Sequence, residues 1–366
     1  MQNGGSLTAD KIYAMYRGSD AQSGRVNAAI TVNGGSLDVL GDVMFGYNRT
    51  RAGYAVWLTI NDGAVAVGGN MYLTYYSKAS ANYCAPQGIV VMNGGTLDVV
   101  GDIDLSRCYN KSDYERDGGL FLRGGVLSAR NIKQSSANCI IQRLVFDGGV
   151  YAPNVGATNQ TLTGLAKAHV STNGAIVSTE KLPADGTYTI AQDLLKDPGL
   201  NGAADGGFTK RGTGTLALTG ANTFTGPTRV EGGTLAVSSA DAISDDVTVA
   251  DGAALDLGGS SVTLGRIAAS GVIVNGSLSV TGSVVAAEGS LLNVAGDLTL
   301  VPGLVVDFAG GNVAGWRPLA AVSGTVAVPA MLKARNAGDF NRCKTSVIDG
   351  VVYVCPTSAG FMFSVR

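Results

Sequence analysis

The stretch from Gly206 to Gly233 reads GGFTKRGTGTLALTGANTFTGPTRVEGG, and it constrains the fold more than any other part of the chain. Short runs of Leu, Val, Ala and Thr are each ended by a glycine turn, and none carries a helical period. The same unit recurs, degraded or lengthened, from Gly4 to about Pro302. One such unit cannot bury its apolar side alone, whereas stacked units bury a continuous core. The expected class is all-β: a β-solenoid of short stacked strands.

A long form of the repeat occupies residues 1–150. Asn33-Gly-Gly-Ser-Leu-Asp-Val-Leu-Gly-Asp42 aligns with Asn61-Asp-Gly-Ala-Val-Ala-Val-Gly-Gly-Asn70 and with Asn93-Gly-Gly-Thr-Leu-Asp-Val-Val-Gly-Asp102. Weaker copies start at Asn3, Arg123 and Asp147. The period-2 alternation of residues 36–39 and 96–99 predicts strands with one buried face. Glycine at the turns supplies the positive φ that other residues adopt at a cost.

Variable segments fall at one place in each long unit: 16–27, 47–54, 75–87, 107–117 and 133–142. Stacking predicts these loops on one flank. Eleven of the 13 tyrosines lie in residues 1–151, mostly in or beside the loops, joined by Arg17, Arg25, Lys78, Arg107, Lys111 and Arg116. Loops on a rigid scaffold are where function concentrates. Tyr47, Arg49, Arg51, Tyr54, Tyr75, Tyr76, Tyr109 and Tyr114 are therefore the candidate ligand-binding residues. The competing reading is that Tyr and Arg cover coil edges and keep the surface soluble.

Residues 151–205 are less regular, and 191–197 reads as a short helical turn or a bulged coil. Residues 206–302 carry tight repeats without lateral loops. Residues 303–366 bring back aromatics and an Asp349-Gly350 turn signal. An open solenoid end exposes unpaired backbone groups, so this last segment is expected to be a hairpin cap.

Composition excludes several classes. Glycine, 53 of 366 residues, follows no Gly-X-Y period, so collagen is out. A net charge of −2 argues against a nucleic-acid partner. No apolar run is long enough to span a membrane as a helix. The chain starts inside a repeat array with no apolar leader, which predicts a native start and secretion signal upstream.

Catalytic signatures are weak. His169 is the single histidine and has no neighbouring Cys or carboxylate in sequence for a metal site or triad, so a surface or filler role is expected. No catalytic residue, metal site or cofactor is expected. Asp42, Asn70 and Asp102 occupy one repeat position, as do Asp38 and Asp98. The first set reads as a structural ladder in which side chains satisfy backbone donors of the next coil. The alternative is an acidic cluster of the kind β-helical polysaccharide lyases use, with Arg49 or Arg107 nearby. Asp102 with Asp104, and Asp245 with Asp246, read as solvated turn residues. Among five cysteines, Cys108 and Cys139 are about one coil apart and Cys84 stands alone. Cys343 and Cys355 flank the terminal turn, where they either bridge or stay free.

Residues 206–237 resemble the autotransporter-associated β-strand repeat of bacterial surface proteins. The resemblance rests on Gly207-Phe-Thr-Lys-Arg-Gly212, Gly214-Thr-Leu-Ala-Leu-Thr-Gly220, Ala221-Asn-Thr-Phe-Thr-Gly226 and Glu231-Gly-Gly-Thr-Leu-Ala-Val237. It implies a single-stranded right-handed parallel β-helix, secreted or displayed on the cell surface, acting as an adhesin or scaffold in which the repeat is structural. No outer-membrane barrel follows Arg366, so the expectation is a passenger-type protein without one. The expected function is a non-enzymatic adhesin whose N-terminal loop face contacts a glycan or a host or neighbour surface. A polysaccharide lyase or hydrolase, and a purely structural filament segment, are the alternatives.

Overall fold

The computed structural model describes residues 2–14, 27–45, 55–75, 87–106, 118–136, 142–239, 242–287, 289, 291–309, 315–338 and 340–357. They form two compact units: residues 1–216 with 220–225, and residues 217–219 with 226–366.

The coils of the first unit are built on three faces, and the strands within each face pair in parallel. Gln87–Met92, Gly118–Leu122, Gln142–Phe146 and Lys167–Val170 stack as the first face. Thr96–Val99, Val126–Ala129, Val150–Pro153, Ala175–Ser178 and Phe208–Arg211 stack as the second. Ile12–Ala14, Val43–Phe45, Met71–Tyr72, Asp102–Asp104 and Asn131–Lys133 form the third. Two long strands, Ala28–Val39 and Ala55–Val67, run through the first corner and belong to both of the first two faces.

The alternation seen in the sequence sets which side chains enter the core. Val32, Ile60, Met92, Leu122, Phe146 and Val170 form one inward row on the first face, all buried. On the second face the inward row runs Leu37, Val65, Leu97, Leu127, Tyr151, Val177 and ends in Lys210. Burying one large aliphatic or aromatic side chain contributes about 1.5–3 kcal/mol, so these rows are the main source of stability.

The corner between the first two faces explains the Gly-Gly signature. Gly35, Gly63, Gly95 and Gly125 have φ of +71°, +85°, +64° and +71°. A Cβ on Gly63, Gly95 or Gly125 would lie 2.3–2.5 Å from the carbonyl oxygen of the glycine one coil earlier. Beside this stack runs an amide ladder. Asn61 Nδ2 donates to Asn33 Oδ1 at 2.7 Å, and Asn93 Nδ2 donates to Asn61 Oδ1 at 2.8 Å.

Residues 191–197 form no helical turn. Leu195–Lys196 pairs with His169 and Val170 as a strand, and a short 3₁₀ turn follows at Pro198–Leu200, capped by Asp197. Proline at the first position of that turn lacks the N–H a longer helix would not need either, but the Asn201 residue in the left-handed region stops it at once.

In the second unit, Thr228–Val230, Asp246–Val249, residues 266–269, 283–285, Val305–Asp307 and Met331–Ala337 stack in parallel. Thr234–Val237, Ala254–Asp256, Val272–Val274, Leu292–Val294 and Arg317–Val322 form a second parallel stack. The direction then reverses. Phe340–Ile348 and Val351–Thr357 form an antiparallel hairpin that pairs with Met331–Ala337 on one side and Arg317–Val322 on the other. Asp349 and Gly350, at φ +49° and +76°, make the two-residue turn, which suits the twist of the strands it joins.

Both hairpin thiols are free. Cys343 faces Pro356 and Cys355 faces Lys344 in the register, so the two side chains point to opposite faces of the hairpin. That one-residue offset forbids the bridge considered from the sequence. Burial pushes the Cys343 thiol up to about 11, which leaves it unreactive at neutral pH.

Candidate functional site

The chain leaves the third face of the first unit after Ala14, Phe45, Tyr75, Ser106 and Ser136 and returns to the first face at Ala28, Ala55, Gln87, Gly118 and Gln142. The departure points are tied together: Tyr75 N–H donates to Phe45 O at 3.0 Å, and Ser136 N–H to Ser106 O at 2.9 Å. The return points share a register, Ala55 with Gln87 and Gly118 with Gln142. One corner therefore carries the ends of all five connections. Of the candidate binding residues, Tyr75 is half-buried at this corner with its ring 5.3 Å from that of Tyr72 in an edge contact. Tyr47, Arg49, Arg51, Tyr54, Tyr76, Tyr109 and Tyr114 lie outside the described residues, as do Cys84, Cys108 and Cys139.

The first face begins at that corner and presents two outward rows. One runs Trp57, Ile89, Gly119, Arg143, Lys167; the other runs Thr59, Val91, Phe121, Val145, His169. Trp57, Ile89, Val91 and Phe121 are half-buried. The guanidinium carbons of Arg143 and Arg123 sit 5.1 and 5.8 Å from the Phe121 ring centre, within cation–π range. The face thus passes from aromatic and aliphatic to basic. Sequence reasoning centred on the loops missed it. The available signal was the outward phase of the same strand alternation, which places Trp57 and Phe121 opposite the core residues.

His169 is not at the surface: it is 5% exposed, in the outward row above Val145. Burial pushes its pKa down, Asp197 opposes this, and Arg143 and Lys167 add to it. It is neutral at pH 7, and its Nδ1 has no hydrogen-bond partner among the described residues. A neutral buried imidazole in a β-row is a packing residue.

The nominated carboxylates do not converge. Ala66 lies between Asp38 and Asp98 in the stack, so these two are separated by two coil spacings, about 10 Å. Asp42 Oδ1 accepts the backbone N–H of Asn70 at 2.7 Å, and Asn70 Oδ1 accepts that of Asp102 at 2.9 Å, 28 and 32 residues further on. Asp102 ends the series, with Oδ1 accepting from Arg130 Nε at 2.7 Å and Oδ2 from Lys133 Nζ at 2.6 Å. Among the described residues no group of three or more His, Cys, Asp and Glu could hold a metal ion.

Asp102 and Asp104 are not solvated, at 6% and 1% exposure. Asp104 Oδ1 accepts the N–H groups of Ser106 and Ser135. Burial works against the Asp102 carboxylate, but the hydrogen bonds and charges of Arg130 and Lys133 outweigh it and hold the pKa below its ordinary value. This stabilisation is complete above the ordinary carboxylate pKa and is lost as pH falls through the depressed folded-state value. Asp102→Asn is expected to cost about 2 kcal/mol at pH 7, with the difference from wild type vanishing in strong acid. Urea unfolding at pH 7 and pH 2.5 checks both parts.

A second polar network lies inside the unit. The Tyr151 and Tyr188 hydroxyls are 3.0 Å apart, Tyr188 donates to Asn131 Oδ1 at 2.7 Å, and Asn131 Nδ2 donates to Thr161 O at 3.0 Å. Burial pushes both phenols well above their ordinary pKa. They stay protonated and act as hydrogen-bond links across the core.

The passenger-associated-transport-repeat family matches residues 208–237. The chain is 27% identical over 274 residues to the adhesin BmaC autotransporter of Brucella suis biovar 1 (strain 1330). That alignment covers 74% of this chain and 7% of the relative, so the chain spans a small part of that protein's length. No solved structure matches the chain. Among the described residues no helix is long and apolar enough to cross a membrane.

Proposed function

Because the chain is a passenger-type autotransporter repeat protein, we propose that it is a secreted or cell-surface adhesin or scaffold without catalytic activity. Its contact surface is the loop-bearing corner of the first unit together with the outward rows of the first face, and its partner is a glycan or the surface of a host or neighbouring cell. The second unit acts as spacer, closed by its terminal hairpin. The observation that carries this reading is the alignment of the ends of the five connections at one corner, beside Trp57, Phe121 and Arg143. An aromatic ring stacks on the flat face of a sugar while nearby polar groups fix its orientation. The separation of Asp38 from Asp98, the use of Asp42 as a backbone acceptor and the engagement of Asp102 by Arg130 and Lys133 support a non-enzymatic role.

The test replaces residues 46–54 and 107–117 with short Gly-Ser bridges, separately and together, and adds Tyr47→Ala and Tyr76→Ala. Binding to a glycan array and to host cells is expected to fall strongly, while the circular dichroism spectrum and unfolding midpoint stay unchanged. Binding that survives all four changes rejects the loop corner as the contact surface.

A further inference from the structure

The last 64 residues are basic in an acidic chain, with six Lys and Arg against three Asp. Four of these cations share one outward face of the terminal sheet. Lys333 is directly opposite Arg342 on the neighbouring antiparallel strand. Arg335 follows Lys333 by two positions, and Lys344 follows Arg342 by two, so both lie on the same side as that pair. All four are exposed. Cys343, between Arg342 and Lys344, is buried on the other side.

Like charges placed directly across two strands are destabilising. Among the described residues Asp307 is the carboxylate that pairs with this strip, and it is engaged: Oδ2 accepts from Arg335 Nε at 3.1 Å and Oδ1 from Asn336 Nδ2 at 2.6 Å. Lys333, Arg342 and Lys344 have no ion pair among the described residues. The fold could remove the repulsion by any neutral substitution at these exposed positions, yet it aligns the charges instead.

The shape is equally specific. Lys333, Arg335, Asn341 and Arg342 line an open cleft of about 510 Å³ together with Val305 and Ala334. Successive same-side residues on a strand are about 7 Å apart, so the cations form a strip roughly 13 Å long. One step beyond Lys344, Tyr353 lies opposite Ser346 on the same face, half-buried. A strip of cations that runs from a cleft at Lys333, Arg335 and Arg342 out to Lys344, with a ring beyond it, matches a single flexible chain carrying repeated negative charges and flat apolar faces. A lipid bilayer would meet a flat or convex surface more readily than a cleft. Four cations in a chain of net charge −2 are too few for a nucleic-acid groove.

We propose that the outward face of the terminal hairpin is a second binding site, for an acidic polysaccharide, with Lys333 and Arg342 at its centre. Their side chains pair with successive carboxylates or sulfates, Lys344 and Arg335 extend the strip at either end, and Tyr353 stacks on a sugar ring. The site belongs to the second unit and shares no residue with the loop corner, so either can fail without the other.

The test uses the whole chain with heparin and polygalacturonate as probes, dextran as the neutral control, and vesicles of phosphatidylcholine with phosphatidylglycerol. Wild type is expected to bind both polyanions in a salt-sensitive way and to ignore dextran. The Lys333→Gln/Arg342→Gln double variant is expected to bind at least about tenfold more weakly, with an unfolding midpoint equal to or above that of wild type, because the facing charges are gone. Lys181→Gln, an exposed cation of the first unit that belongs to neither surface, should leave this binding intact. Wild type that binds neither polyanion overturns the proposal. So does a double variant that binds as well as wild type, or binding confined to the vesicles.

Discussion

Gly95→Ala is expected to destabilise the first unit by about 4 kcal/mol or more, whereas Gly164→Ala in the same unit should cost about 1–2 kcal/mol. Both glycines have positive φ, +64° and +73°. They differ in what surrounds them. A Cβ at Gly95 would meet Gly63 O at 2.4 Å, the Asp62 carbonyl carbon at 2.9 Å and Gly63 N at 3.0 Å; a Cβ at Gly164 meets nothing within 4 Å. All three obstacles at Gly95 are backbone atoms of the coil before, held by the ladder itself, so relief requires two coils to separate. Gly95 in turn lies under Gly125, whose own Cβ position is 2.3 Å from Gly95 O. In a stack where each coil is stabilised by its neighbours, a change that pries apart one interface weakens its whole surroundings. Urea unfolding of the two variants beside wild type reads the contrast. Equal losses at the two sites would show that the left-handed conformation alone, and not the close approach of the coils, accounts for the Gly-Gly repeat.

That repeat is also why the fold was legible. A positive φ at a fixed place in every unit, followed by alternating apolar residues such as Leu97 and Val99, specifies a turn and a strand whose inward side is set. The parallel stacking follows, because only equivalent positions bring Gly63 onto Gly35 and Leu97 onto Val65. The Asp349-Gly350 hairpin was legible for a similar local reason. Features that depend on which side chain reaches which coil were not. Asp102 reads as a turn residue until Arg130 and Lys133, one coil further on, are seen to close over it. Tyr151, Tyr188 and Asn131 come from coils of different length, and no spacing in the sequence brings them together. Cys343 and Cys355 flank the turn symmetrically enough to invite a bridge, and a single residue of register separates them. His169 reads as a surface or filler residue, and the stack decides for filler because its burial arises outside the core row. The loop corner was legible as a position and not as a site, since a binding surface depends on side-chain arrangement that periodicity does not encode.

The residue most at odds with a simple alternation is Lys210. Phe208-Thr-Lys210 places it in phase with Phe208, and the phase holds: Lys210 stands above Val177 in the inward row and is wholly buried. Its ammonium donates to the carbonyl oxygens of Arg211 at 3.1 Å and Gly212 at 2.7 Å. Thr179 N–H also donates to Arg211 O, at 3.0 Å, and Thr179 Oγ1 donates to Thr213 O. The turn 211–213 is thus held by donors from inside and from the coil before. Burial lowers the Lys210 pKa from 10.5 to about 8. Between those values the unfolded chain binds a proton that the folded chain has released, so stability rises with pH across this window. The shift corresponds to roughly 3 kcal/mol, present in full near pH 10.5 and absent at pH 7. Lys210→Met fills the same space without a charge. It is expected to match or exceed wild-type stability at pH 7, as removal of a buried charge often does, and to flatten the rise towards pH 10. Other lysines and tyrosines titrate above pH 9.5, so the quantity to read is the difference between variant and wild type. A rise of equal size in both proteins would mean that the ammonium is not the group being released, and that its contacts with the turn offset its burial.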